Sequence, residues 1–279
     1  MYAIKAFENG FEYIEVQNSA ASAKIALQGA HIFEYEQKGE DPLLWLSKES
    51  LFEKGTAIRG GIPLCWPRFG NRDKALPQHG FARTALFELV NVLEENEELT
   101  KIHLQLKSSA QTKTIWNYEF VLDIVFTITD TLAISMITHN RDTKSFLITQ
   151  AFHTYFLVSD IEDVTIFGLE GITFSDTLIN EQHTEYTPLQ IKSEIDRVYE
   201  GEIGTIVLRD AKKEVEIESQ NSASVIVWNP WIEKSSKMSA MDTEGYKEFV
   251  CIESANAFDD LRSVAPNESC EIKVLYKEG

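Results

Sequence analysis

Alternation with a period of two runs through most of this chain. FEYIEV (11–16), KIALQ (24–28) and HIFEYE (31–36) set apolar residues at every second position, and a turn signal follows at Gly39 and Pro42. Successive side chains of an extended backbone face opposite ways, so this pattern predicts strands with one buried and one wet face. LFELVNVL (86–93) and KIHLQLK (101–107) flank the acidic run EENEE (94–98), which reads as a solvated hairpin tip. YEFVLDIVFTI (118–128) and TLAISMITHN (131–140) predict a hairpin across a Thr-Asp connection. SFLITQAFHTYFLV (145–158) is apolar and aromatic almost throughout, which predicts one strand buried on both faces. VTIFGL (164–169), TIVLR (205–209), EVEIE (214–218), SVIVW (224–228), EFVCIE (248–253) and EIKVLY (271–276) complete the series.

Helical periodicity is nearly absent; only KESLFEKG (48–55) suggests a short helix. Many short strands with turn signals between them indicate an all-β fold, a large β-sandwich of two extended sheets with few short helices. No linker or repeat divides the chain, so residues 1–279 are expected to form one domain. With 279 residues and 43% hydrophobic content, the core needs no disulfide or metal to hold it. Cys65, Cys251 and Cys270 show no CxxC or Cys/His spacing, which fits a reducing, cytoplasmic setting and argues against a zinc site. The start carries no basic region followed by an apolar run, so no secretory leader is expected. The uncharged stretch between Lys144 and Asp160 is too short to span a bilayer.

Charge sharpens the picture. A formal net charge of −18 makes nucleic acid and anionic membrane poor partners. Against that background, RGGIPLCWPRFGNRDKALPQHGFAR (59–83) holds Arg59, Arg68, Arg72, Lys74 and Arg83 with the single anion Asp73. The same stretch contains three of the seven prolines and Gly60, Gly61, Gly70 and Gly80. Prolines fix the backbone and glycines permit turns, so a shaped, cationic loop is expected. It either holds an anion or pairs with carboxylates elsewhere in the chain.

Two titratable residues stand in apolar surroundings. His153 lies among the aromatics of AFHTYF, where a polar group must be hydrogen-bonded or functional. Glu253 shares a strand face with Phe249 and Cys251, while Val250 and Ile252 take the other face. Burial in such a row raises a carboxyl's proton affinity, as a general acid or base requires, although a strand-end glutamate can also simply reach water. His79 sits on the Pro/Gly loop near Arg83, where binding is a better account than packing. His31 reads as structural, and His103, between Ile102 and Leu104, as solvent-facing. Asp196 could cap a turn or bind a ligand, and WNPW (228–231) could line a sugar site or pack a hairpin.

RGGIPLCWPRFG, LPQHGFAR, AFHTYF, IDRVY, WNPW and FVCIESA occur in an order that resembles the hexose-6-phosphate mutarotases, the glucose-6-phosphate 1-epimerase branch of the aldose 1-epimerase superfamily. The resemblance runs from about Arg59 to Ala255 and implies a sandwich of the galactose mutarotase type. It implies interconversion of the α and β anomers of an aldohexose 6-phosphate, without a metal or organic cofactor. His153 and Glu253 take the positions of the catalytic pair, with Glu253 as base and His153, as imidazolium, the acid. Arg59, Gln78 and Arg83 match substrate- and phosphate-binding positions, Asp196 a sugar-hydroxyl contact, and His79 a histidine that orients the sugar. Arg68 carries no assigned role, and Arg72 and Lys74 add only to the local positive field. The expected partner is a small sugar phosphate, bound by a monomer. Two other readings remain open on the residues alone: a glycoside hydrolase pairing Glu253 with Asp196 or Glu233, and a non-catalytic carbohydrate-binding module.

Overall fold

The computed structural model describes residues 1–71 and 76–279, so Arg72 and Lys74 lie outside the described residues. The alternating segments form strands, and most of these assemble into two large sheets of nine and eight strands. In the nine-stranded sheet, Glu88–Glu95, Thr100–Lys107, Phe120–Ile128, Leu132–Asn140 and Ser269–Glu278 are neighbours. Phe120, Leu122, Ile124, Phe126 and Ile128 are buried on one side, with half-buried residues between them. In the eight-stranded sheet, Ile195–Glu200, Ser224–Asn229, Phe249–Asn256, Gln150–Phe152 and Leu64–Cys65 follow one another.

The two sheets share one core. Leu122, Ile124, Phe126, Ile134 and Met136 from the first join Phe152, Val225, Val227, Val250 and Ile252 from the second. Each fully buried side chain of this kind contributes about 1.5–3 kcal/mol relative to exposure. A four-stranded N-terminal sheet, running in sequence order from Tyr2–Ala6 to His31–Gln37, adds Ile14, Ile25, Ile32 and Tyr35 to the same core. No described helix is long and apolar enough to cross a membrane.

Two sequence expectations are corrected. KESLFEKG forms turns rather than a helix. Its backbone groups are drawn to distant partners: Gly55 N–H donates to Gln28 Oε1 at 2.7 Å, and the Phe52 carbonyl accepts from Asn9 Nδ2 at 2.7 Å. The Phe52 ring meanwhile packs on Phe7, Phe11 and Phe33. Short helices form instead at Ala110–Ile115, where Ser109 and Thr112 make a reciprocal capping box, and at Trp231–Ser235. The segment 145–158 is three strands, Phe146–Ile148, Gln150–Phe152 and Tyr155–Leu157. The first pairs with Arg262–Val264 in a separate two-stranded sheet, which leaves Leu147 49% exposed rather than buried.

One consequence of the layering positions the site. The eight-stranded sheet turns Val250 and Ile252 into the shared core, so its second face must bury its own apolar row. That row holds Cys65, Ala151, Tyr155, Val198, Ile226, Trp228, Phe249, Cys251 and Ala255, with Trp45 packed on Tyr155 and Phe249.

Candidate active site

Glu253 belongs to this second face. Opposed residues of an antiparallel pair point the same way. Val198 pairs with Ile226 and Ile226 with Glu253, while two residues along each strand Asp196 pairs with Trp228 and Trp228 with Cys251. Asp196 and Glu253 thus share a sheet face two strands apart. Glu253 is 2% exposed, and its Oε2 has no partner among the described residues. Burial, with Asp196 adding repulsion, holds its carboxyl well above the usual glutamate range.

The break in the neighbouring strands brings a base to that carboxyl. Phe152 pairs with Ser254 and Tyr155 with Cys251, so His153 and Thr154 interrupt the ladder opposite Ile252 and Glu253. Thr154 turns into the core, where its hydroxyl meets that of Tyr276 at 2.5 Å. His153 turns the other way: its Nε2 lies 3.4 Å from Glu253 Oε1, and its amide donates to the Pro63 carbonyl at 3.0 Å. A separation of 3.4 Å is loose for a hydrogen bond. The imidazole stacks on Tyr155 with ring centroids 5.0 Å apart and meets Trp228 edge-on at 5.8 Å. Burial first, then His79, Arg83 and Arg59, pushes His153 well below the usual histidine range.

The basic loop contributes the rest. His79 lies edge-on to His153 at 5.5 Å, in a left-handed backbone conformation at φ 61°. Such conformations are costly for a residue with a Cβ and gather at functional sites. At the next residue only glycine fits, because a Cβ on Gly80 would stand 2.0 Å from the Trp66 carbonyl oxygen. Burial, Arg83 and Arg59 lower His79 to about 3. Arg83 donates through Nη2 to the Gln78 carbonyl at 2.9 Å. Arg59 reaches Tyr155 Oη at 3.4 Å and the Ser239 carbonyl at 3.5 Å, while its Nε has no partner among the described residues. Both arginines, secondary to burial, lower the proton affinity of both imidazoles through their charge. Gln78 is exposed on the same loop.

Of the sequence candidates, Glu253, His153, His79, Arg59, Arg83 and Asp196 converge. Burial drives both Glu253 and His153 toward their neutral forms, which opposes the expectation of an ionised Glu253 beside an imidazolium. Glu233 is exposed on the Trp231–Ser235 helix rather than in the buried row, which removes it as a partner carboxylate. His31 is structural, its Nε2 2.8 Å from the Gly60 carbonyl oxygen. His103 is half-buried rather than free in solvent, because Asp123 sits between it and His139 at 2.7 and 3.0 Å. Sequence reasoning passed over Tyr155, which holds both Arg59 and the His153 ring, and Cys65, which touches His79. Tyr155 stood two residues from His153 in AFHTYF, but only a tertiary contact shows its part. Among the described residues, no cluster of His, Cys, Asp or Glu could hold a metal ion.

Comparison with known proteins bears on the family and the fold. A protein from Escherichia coli K12, named "Putative glucose-6-phosphate 1-epimerase", is 35% identical over 251 residues, covering 88% of this chain and 83% of its own. A relative of the same name from Salmonella typhimurium is 33% identical over 267 residues, covering 94% of this chain and 87% of its own. The crystal structure of a "putative mutarotase" from Salmonella typhimurium superimposes with a TM-score of 0.93 at 30% identity, over 100% of this chain and 93% of that one. A galactose 1-epimerase from Lactobacillus acidophilus shares the fold at a TM-score of 0.78 and 13% identity, over 100% and 98% of the two chains. The family model for aldose 1-epimerase matches residues 12–277, nearly the whole chain, and the chain belongs to that family.

Proposed function

We propose that this chain interconverts the α and β anomers of an aldohexose 6-phosphate, with glucose 6-phosphate the first substrate to test. The observation that carries the reading is the Glu253–His153 pair, a carboxyl and an imidazole 3.4 Å apart in an otherwise apolar row. Relatives named for glucose-6-phosphate 1-epimerase activity support the choice of substrate.

Anomers exchange when the ring opens, the C1–C2 bond rotates, and the ring closes on the other face of C1. Opening removes the proton of the anomeric hydroxyl, forms the C1 carbonyl, breaks the bond from C1 to the ring oxygen, and gives that oxygen a proton. One group must therefore accept a proton while its neighbour donates one. The Glu253–His153 pair does this while carrying a single proton between its members, and closure reverses the transfer. Burial favours the proton on Glu253. For Glu253 to act as base, that proton must pass to the imidazole as the sugar binds, against the burial that chiefly lowers His153 and the lesser effects of His79, Arg83 and Arg59. Each well-placed proton-transfer group contributes roughly 10²- to 10⁴-fold.

Arginine suits the phosphate because its planar fork makes paired, charge-assisted bonds. The reaction is at C1 and the phosphate at C6, so these contacts hold the sugar in register rather than act on the reacting bonds. Arg59→Ala and Arg83→Ala should each lower kcat/KM for glucose 6-phosphate by about 10- to 100-fold, the range for a lost hydrogen bond to a charged group. Turnover of free glucose should fall far less. Equal losses on the two sugars, measured by anomer exchange, would remove the phosphate assignment.

A further inference from the structure

We propose that Cys65 is a positioning residue for this site: its thiol and the Gly70 amide both donate to Nδ1 of His79 and fix that ring as the Nε2–H tautomer, a permanent hydrogen-bond donor beside His153. The proposal rests on the mutarotase reading for its purpose, but the tautomer itself follows from geometry. Cys65 Sγ lies 3.2 Å from His79 Nδ1, and the Gly70 N–H donates to the same nitrogen at 3.3 Å. A backbone N–H can only donate, so Nδ1 must present its lone pair and the ring proton must sit on Nε2. With Nδ1 an acceptor, the sulfur has only its S–H to offer.

The surroundings keep both donors in place. Cys65 is fully buried, and desolvation, with Glu253 nearby, pushes its thiol far above the usual range, so the S–H persists. Its backbone is held in the eight-stranded sheet, where Cys65 pairs with Ala151. Gly70 is tied to the same loop from the other side, because the His79 amide donates to the Gly70 carbonyl at 2.9 Å. His79 therefore closes on Gly70 through main chain and side chain together. Phe69 packs edge-on against the ring at 5.2 Å, which restricts its rotation.

The chemical consequence concerns proton traffic. Glu253 and His153 work with one proton between them, and a second imidazolium against His153 would compete as a proton source. A neutral His79 with its donor fixed at Nε2 can bind a sugar oxygen without entering that exchange. Its lowering to about 3 by burial and the two arginines agrees with a ring that stays neutral.

The test is nitrogen-resolved NMR of the histidine rings in the intact protein without substrate, from about pH 5 to pH 8, where an ordinary histidine titrates. His79 is expected to show an unprotonated Nδ1 and a protonated Nε2 throughout. Cys65→Ala leaves only the 3.3 Å Gly70 contact to hold Nδ1, so part of the ring population should shift to the Nδ1–H form, and kcat/KM for glucose 6-phosphate should fall about 3- to 10-fold, the loss of one neutral hydrogen bond. Cys65→Ser, which keeps a donor, should restore the tautomer and most of the activity. A wild-type His79 protonated at Nδ1 overturns the proposal, as does a Cys65→Ala ring that matches wild type. Because the spectrum needs no substrate, a correct tautomer in a protein that exchanges no anomers would count against the mutarotase reading alone.

Discussion

Glu253→Gln is expected to lower anomer exchange of glucose 6-phosphate by roughly 10²- to 10⁴-fold while the protein still binds the sugar phosphate. Glutamine keeps the shape and a polar end but cannot take the anomeric proton. The substitution also separates chemistry from folding through its effect on stability. Wild-type Glu253 has a folded proton affinity raised well above its unfolded value near 4.5. Between those two values the folded state holds a proton that the unfolded state has released, so wild-type stability falls as pH rises above about 4.5. Glutamine has no such dependence, and the variant should gain stability relative to wild type as pH rises. Denaturant unfolding at several pH values, run beside an exchange assay, reads both effects. Wild-type activity in Glu253→Gln would remove Glu253 from the chemistry.

His153→Gln should produce a loss of similar size, again roughly 10²- to 10⁴-fold, because the ring oxygen then departs without its proton donor. The pH profile distinguishes this from a packing defect. The proposed mechanism requires one proton on the Glu253–His153 pair, which predicts a bell-shaped dependence of kcat/KM for wild type. With the imidazole gone, the remaining activity depends on ionised Glu253 alone, so it should only rise with pH, along a limb above 4.5. Folding shows the opposite sign from Glu253. The folded His153 is lowered below its unfolded value near 6.5, so wild type loses stability as pH falls below about 6.5 and the variant does not. A bell that survives in His153→Gln would mean that another group supplies the acid.

Much of the fold was legible because the strands bury one face. Phe120–Ile128 and Leu132–Asn140 alternate along their whole length, and their burial follows the alternation residue by residue. The same rule assigned Glu253 to the face of Phe249 and Cys251, and the structure keeps that assignment. Alternation could not show the break at His153 and Thr154, since an apolar run fits one continuous strand as well as three short ones. That break puts His153 beside Glu253, so the place where the pattern misled is where the site is built. The roles of Arg59, Arg83 and Asp196 came from motif resemblance, because a charged residue on a loop carries no positional signal of its own. Contacts such as Arg59 with Tyr155 and Cys65 with His79 join residues far apart in the chain, and local sequence holds no record of them. The proton state was equally hidden, since desolvation depends on everything packed around a group.

The central claim is that this site exchanges the anomers of a hexose phosphate. Magnetisation-transfer NMR on an equilibrium mixture of α- and β-glucose 6-phosphate tests it directly, with glucose and a glycoside run alongside. The account predicts protein-dependent exchange between the two anomers of glucose 6-phosphate, weaker exchange of free glucose, and no sugar released from the glycoside. Exchange no faster than in buffer, or release of sugar from the glycoside, would contradict it.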